Sequence, residues 1–338
     1  MPDNKVTHQI LSGSRKAGKT YSFNDNHDET LPAQMWFQNA TEGLILFVVF
    51  YTQACRWSRC LGCNLPSQVS STHVPYNFIM AQIDTLMADP KVFSKREEIK
   101  KVIISNNGSI LDQDTFSSTG LMYLIARLNQ NMPNLAVLSM ETRPEYVEPE
   151  ELEFIARALA EGDTPTALEI AIGFEAFDEH IRNDVFDKGL SLTVFETLVK
   201  RIAPYNYLLK CYFMQKPVPG MADEEAVLDI KNAIDYLSQI SAGYDATINM
   251  HLNPTYVATG TAIETAFLNG TYSPPFLKDV IAAALHAAGK PISIFIGLSD
   301  EGLAVPGGSF LRAGEEHLVD AIEQYNQTQD YRILHGLL

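Results

Sequence analysis

LILFVVFYTQACRWSRCLGC, residues 44–63, joins an apolar run to a loop that carries three of the chain's four cysteines, Cys55, Cys60 and Cys63. The run Leu44 to Tyr51, closed off by a polar loop, predicts a strand buried on both faces. Three thiols on one loop point to a metal rather than to disulfides, because an odd number cannot pair off. A tetrahedral zinc site or a fully ligated iron–sulfur cluster needs a fourth ligand. The remaining cysteine, Cys211, lies far along the chain in another strand-like run, where it reads as a small core residue. His73 is a candidate fourth ligand for zinc. On a four-iron cluster, by contrast, three thiolates leave one iron open to a chelating substrate or cofactor.

With 338 residues, 46% of them apolar, the chain can bury a large core as one domain. Four cysteines, three of them on one loop, argue against a secreted disulfide scaffold and for a reducing compartment. The N-terminal MPDNKVTHQ is polar and offers no signal-peptide core, and no apolar run is long enough to span a bilayer. The expectation is a cytoplasmic protein with no membrane partner. A net charge of -16, from 41 acidic against 25 basic residues, works against a broad nucleic-acid groove. Lys95, Arg96, Lys100 and Lys101 are interleaved with Glu97 and Glu98 and read as a solvated helix face.

Apolar runs near 43–51, 101–105, 135–141, 167–173, 207–213, 245–251 and 291–297 alternate with amphipathic stretches such as Glu150 to Ala160, Ala222 to Ile240 and Phe276 to Ala288. This is the signature of parallel βα units. It predicts an α/β fold, a partial (β/α)6 TIM-like barrel with a seventh βα unit or a C-terminal extension. Its chemistry belongs on the loops after the C-terminal ends of the strands. GSRKAGKT, residues 13–20, matches the P-loop expression but lacks the strand before it and the helix after it, and reads as a flexible basic arm.

The strand ends carry the remaining motifs. After the second strand comes SNNGSILD, Ser105 to Asp112; after the third, ETRPEY, Glu141 to Tyr146; after the fourth, the stretch from Gly173 and Glu175 to Lys188 and Gly189. Cysteines after the first strand of an α/β chain, followed by these motifs in this order, resemble the radical S-adenosylmethionine (SAM) superfamily. ETRP and the fourth-strand pattern resemble its branch with the Elongator catalytic subunit and the archaeosine-forming radical SAM subunit. Between the first two cysteines stand four residues, Arg56 to Arg59, where the commonest pattern has three. Gly62 stands before the third, where an aromatic residue is common.

The resemblance implies a radical SAM barrel over residues 36–298, a polar arm over 1–35, and a C-terminal extension over 299–338 packing on the barrel. It implies a 4Fe-4S cluster on Cys55, Cys60 and Cys63, and S-adenosyl-L-methionine held by the Asn106, Asn107 and Gly108 turn, by Glu141 for the ribose, by Glu175, and by Lys188 for the carboxylate. Arg143 fixes its loop, and Trp57 is left to pack on adenine. Lys210, in an apolar strand, must find a partner or point into a cavity, and with His251 it is a candidate catalytic group. Asn253, Thr261, Asp300, Glu301 and Ser309 fall in later loops, where substrate specificity is expected. The implied chemistry is reductive cleavage of SAM to a 5'-deoxyadenosyl radical, fed by a flavodoxin- or ferredoxin-type electron donor. Acidic charge favours a small metabolite or natural-product precursor as substrate. The alternatives are an archaeosine-type lyase acting on a lysine-modified base in tRNA with a partner protein, and a non-catalytic iron–sulfur or zinc protein.

Overall fold

The computed structural model describes residues 3–338. Two compact units make up the chain: Met1–Arg15, Ser22–Ser58 and Leu65–Ile172 form one, and Lys16–Tyr21, Arg59–Asn64 and Gly173–Leu338 the other. Strand order follows chain order from the first strand to the eighth, which is the order of a partial TIM-like α/β barrel.

The first unit contains most of α1 (Asp3–Lys16), then β1 (Gln34–Ala40), β2 (Gly43–Val49), α2 (Tyr76–Ala88), α3 (Pro90–Lys95), β3 (Ile99–Ser105), α4 (Ser118–Asn131), β4 (Val137–Thr142), α5 (Pro149–Leu159) and most of β5 (Ala167–Glu175). β1 pairs with β2 antiparallel; β2, β3, β4 and β5 then pair in parallel. Neither α1 nor β1 was expected. β1 carries no clean alternation, and what makes it a strand is its partner: Trp36 stacks on Phe47 at 4.1 Å across the hairpin, and Gly43, at φ +106°, makes the turn. The flexible arm expected over 13–20 is helical as far as Lys16, where α1 ends, and α1 is anchored by Ile10, fully buried with Tyr51, Ala54, Val69 and Val74.

Lys100 and Lys101 belong to β3 rather than to a solvated helix face. Lys101 is 1% exposed, and its ammonium donates to Glu169 on β5 at 2.8 Å and to Glu42 at 2.9 Å. An ammonium this deep is held only by such partners.

The second unit contains α6 (Leu192–Ile202), β6 (Leu208–Gln215), α7 (Asp223–Tyr244), β7 (Ile248–Pro254), α8 (Ala262–Leu268), α9 (Leu277–Ala284), β8 (Ser293–Ile296), α10 (Glu316–Thr328) and α11 (Tyr331–His335). β6, β7 and β8 pair in parallel. Phe213 of β6 stacks on Phe174 of β5, and Phe174 meets Phe195 of α6 edge to face. An exposed edge of β8 would invite pairing with another chain. Side-chain amides of α10 and the residue after it cover that edge: Asn326 accepts from Ile296 N at 2.9 Å and donates to Ile296 O at 2.8 Å, and Gln329 donates to Ile294 O at 2.8 Å. The observed strands from β2 to β8 end within three residues of the expected ends, so the loops that carry the motifs lie where the pattern put them.

Candidate functional site

In the first unit the loop after β2 is pinned through its arginine and tryptophan. Arg56 donates to Asp112 at 2.6 Å and to Asp114 at 2.6 Å, and its guanidinium lies 5.1 Å from the Tyr146 ring centre. Burial pushes the Asp112 carboxyl up against the pull of Arg56, and burial beside Asp112 pushes the Tyr146 phenol up to about 12. Trp57 packs its face on the Arg143 guanidinium, 4.4 Å away. Arg143 also pairs with Glu145. Ser58, at φ +44°, donates to Cys55 O at 2.5 Å.

The Asn–Gly turn lies against the first cysteine. Asn107 sits at φ +55° and donates to Leu65 O at 3.1 Å. A Cβ on Gly108 would stand 3.1 Å from Cys55 Cα and 3.3 Å from its nitrogen, so glycine is what lets this turn approach the cysteine. Asn106 is fully buried. Ile110 N donates to Glu141 O at 2.9 Å, and Arg143 N to Ser109 Oγ at 3.1 Å, which ties this turn to the end of β4. Cys55, Trp57, Asn106, Asn107, Gly108, Glu141 and Arg143 thus belong to one connected set of loops.

In the second unit, Cys60, Gly62, Cys63, Glu175, Phe186, Met214, Pro217, Thr255, Tyr256 and Ile263 line one pocket. The cysteine segment is zipped to the loop before Lys188. Leu61 N donates to Phe186 O at 2.8 Å, Cys60 Sγ lies 3.9 Å from Asp187 O, and Arg59 pairs with Asp187 at 3.2 Å. A Cβ on Gly62 would fall 2.6 Å from Ile263 Cδ1, so a larger residue there would displace the Ile263 side chain. Asn64 anchors the far end of the segment on Thr259 O and Leu303 O at 3.3 and 3.1 Å.

Glu175 and Lys188 form an ion pair of 2.7 Å with side chains 15% and 12% exposed. A Cβ at Gly173 would stand 2.4 Å from Lys188 Nζ and 2.6 Å from Glu175 Oε1, so a larger residue there would push the ends of these two side chains aside. Beneath it, the wholly buried Arg182 donates to Leu190 O, Ala176 O and Phe177 O at 2.6, 3.1 and 2.6 Å. Asp229 accepts from Phe177 N and Asp178 N at 2.9 and 2.7 Å. The arginine and aspartate therefore shape the loop that delivers Lys188. Ser58, Asn107, Glu175, Asp187 and Lys216 hold left-handed backbone without being glycine, as do Asn206, Asp245, Glu301 and Gln329 elsewhere in the chain, each at some cost in strain.

Lys210 and His251 stand back from the pocket. Lys210 shares a strand face with Met214 but precedes it by four residues, on the order of 13 Å along the strand. The His251 ring packs between Tyr212 and Phe295, 4.8 Å from each. Cys211 is fully buried on the opposite face of β6. Thr261 bonds its own turn, donating to Ala258 O at 2.7 Å, while Asp300 and Ser309 accept from Gly302 N and Leu311 N. The β7 loop gives Thr255 and Tyr256 to the pocket instead. Burial and the charges of Glu301 and Cys63 raise the Tyr256 phenol well above its ordinary range, so it stays protonated and donates to Asn64 at 3.3 Å. Sequence reading passed over both, and over Lys19.

The donor set fits an iron–sulfur cluster in its chemistry: thiols on a clamped loop, an apolar wall of Phe186, Pro217 and Ile263, and the cation Lys188 close by. Among the described residues no three His, Cys, Asp or Glu side chains are grouped around a single metal ion, and His73 is exposed.

No family model matches the chain. It is 28% identical to archaeosine synthase subunit beta of Methanosarcina acetivorans over 257 residues, 74% of this chain and 70% of that one. It is 22% identical to an uncharacterized protein of Methanocaldococcus jannaschii, over 91% of this chain and 84% of the other. In fold it is similar to archaeal Elp3 of Methanocaldococcus infernus, with a TM-score of 0.50 and 16% identity, over 76% of this chain and 60% of that chain.

Proposed function

We propose that this chain, a radical SAM superfamily protein of the branch with the Elongator catalytic subunit and archaeosine synthase, cleaves SAM reductively to start a hydrogen abstraction. Cys55, Cys60 and Cys63 would hold a 4Fe-4S cluster that, once reduced by a flavodoxin- or ferredoxin-type one-electron donor, would supply the electron for breaking the carbon–sulfur bond. The protein supplies the rest: binding, orientation and exclusion of water.

The observation that carries this reading is the Glu175–Lys188 pair beside Cys60 and Cys63. A carboxylate and an ammonium held side by side are complementary to the zwitterionic amino-acid end of SAM, Lys188 facing the carboxylate as a point charge and Glu175 the ammonium or a ribose hydroxyl. On this reading the Asn106–Gly108 turn and Glu141 complete the grip, Arg143 stacked on Trp57 steadies the adenine side, and Lys210 and His251 serve in the substrate's environment. A charge-assisted hydrogen bond is worth about 1.5–3 kcal/mol. Lys188→Met should therefore weaken SAM binding about ten- to hundredfold by calorimetry while iron content stays at the wild-type level. Unchanged affinity in both Lys188→Met and Glu175→Gln would remove them from the SAM site.

For the substrate, the likeness to archaeosine synthase subunit beta over 70% of its length favours a modified base in tRNA, processed with a partner protein, over a small metabolite. A chain with 41 acidic against 25 basic residues is poorly equipped to grip phosphates, so the partner is assigned the RNA-binding role. Six to ten phosphate contacts would make affinity fall by about 10³–10⁵ between 50 and 200 mM salt. Filter binding of bare tRNA by the isolated chain should show weak affinity and a shallow salt slope. A tight, steeply salt-dependent complex would assign RNA recognition to this chain.

A further inference from the structure

Lys19 belongs to the GSRKAGKT stretch that the P-loop expression picks out and the fold does not use. The structure gives it another task. α1 stops at Lys16, Gly18 turns the backbone at φ +67°, and the next residue sends its ammonium into the cysteine segment of the second unit. Lys19 Nζ donates to Cys60 O at 2.5 Å, Cys63 O at 2.5 Å and Leu61 O at 3.3 Å. Three carbonyls aimed at one point repel one another unless a donor stands there, and an ammonium has three hydrogens for them. The approach is secured on the other side. Thr20 N donates to Gly260 O at 3.0 Å, and a Cβ on Gly260 would stand 2.6 Å from Tyr21 N, so only glycine admits the segment.

We propose that Lys19 is a positioning residue for the cysteine loop: its ammonium gathers the carbonyls of Cys60, Leu61 and Cys63, fixes the shape in which the two thiolates ligate, and balances the negative charge of a thiolate-bound cluster. This rests on the iron–sulfur reading above for its cluster part and on geometry alone for its loop part. Arginine is a poor substitute, because a planar fork cannot meet three carbonyls converging on one point.

The test uses the full-length chain in two states. In metal-free protein, hydrogen exchange read by mass spectrometry should show the amides of residues 60–63 exchanging about tenfold faster in Lys19→Met than in wild type, the factor of one lost charge-assisted hydrogen bond, with the peptide covering β6 unchanged as the folding control. In anaerobically reconstituted protein, an iron chelator should strip Lys19→Met about 10- to 100-fold faster than wild type, the range for losing a group that supports metal ligands. Lys19→Arg should fall between. Wild-type exchange at residues 60–63 in a folded Lys19→Met overturns the proposal, and wild-type stripping overturns its cluster part. A wild type that takes up no cluster, or Cys60→Ala that keeps one, sinks the iron–sulfur reading instead, while the exchange experiment still decides Lys19.

Discussion

Alanine at Cys55, Cys60 or Cys63 should each abolish cluster retention and SAM cleavage, and alanine at Cys211 should leave both at the wild-type level. The contrast comes from position. Cys60 and Cys63 line the pocket with Glu175, and Cys55 touches the Gly108 turn, whereas Cys211 is fully buried in β6. Structural zinc sites bind with about 10–16 kcal/mol shared over four ligands, and on that scale one lost thiolate costs roughly a hundred- to a thousandfold in retention. On the proposed reading, loss of the cluster would remove the electron relay to SAM, and 5'-deoxyadenosine should fall to background in an anaerobic assay. Iron and sulfide analysis of the four variants decides the matter. Equal loss of iron in Cys211→Ala would mean four ligands and no open iron. Retention in any of the other three would mean that this cysteine is not a ligand.

Glu169→Ala should lower unfolding free energy by about 3 kcal/mol in urea denaturation, the low end of the 3–5 kcal/mol for breaking a buried pair, because Glu42 remains on Lys101 at 2.9 Å. Lys101 is left with a single carboxylate that is itself 36% exposed. The double variant Lys101→Met with Glu169→Leu should regain most of the loss, since two apolar side chains remove both charges from the core and keep the volume. A loss below about 1 kcal/mol in Glu169→Ala would show that water reaches Lys101 and that the pair contributes no more than a surface bridge.

The β2-to-β8 frame and the loop order were legible in the chain because buried parallel strands must be apolar on both faces and so announce themselves as runs. The cysteine trio stood out by its spacing on one loop, whereas Glu175 and Lys188 were singled out only by the resemblance, and it is the folded chain that pairs them with each other and sets Glu175 in one pocket with Cys60 and Cys63. β1 and α1 were not legible, because each is fixed by contacts across the fold: Trp36 on Phe47, and Ile10 in a core built around Tyr51. Lys101 read as a surface charge until β5 supplied Glu169, and no local pattern encodes a carboxylate that far along the chain. Lys19 failed for the same reason, its three acceptors being backbone carbonyls that carry no sequence signature at all. Sequence determined the strands from β2 to β8 and the clustering of three cysteines on one loop. Tertiary structure alone decided which glycines leave room for a neighbour, as at positions 62, 108 and 173, and which buried charges find partners. Both depend on distances between segments that only the folded chain brings together.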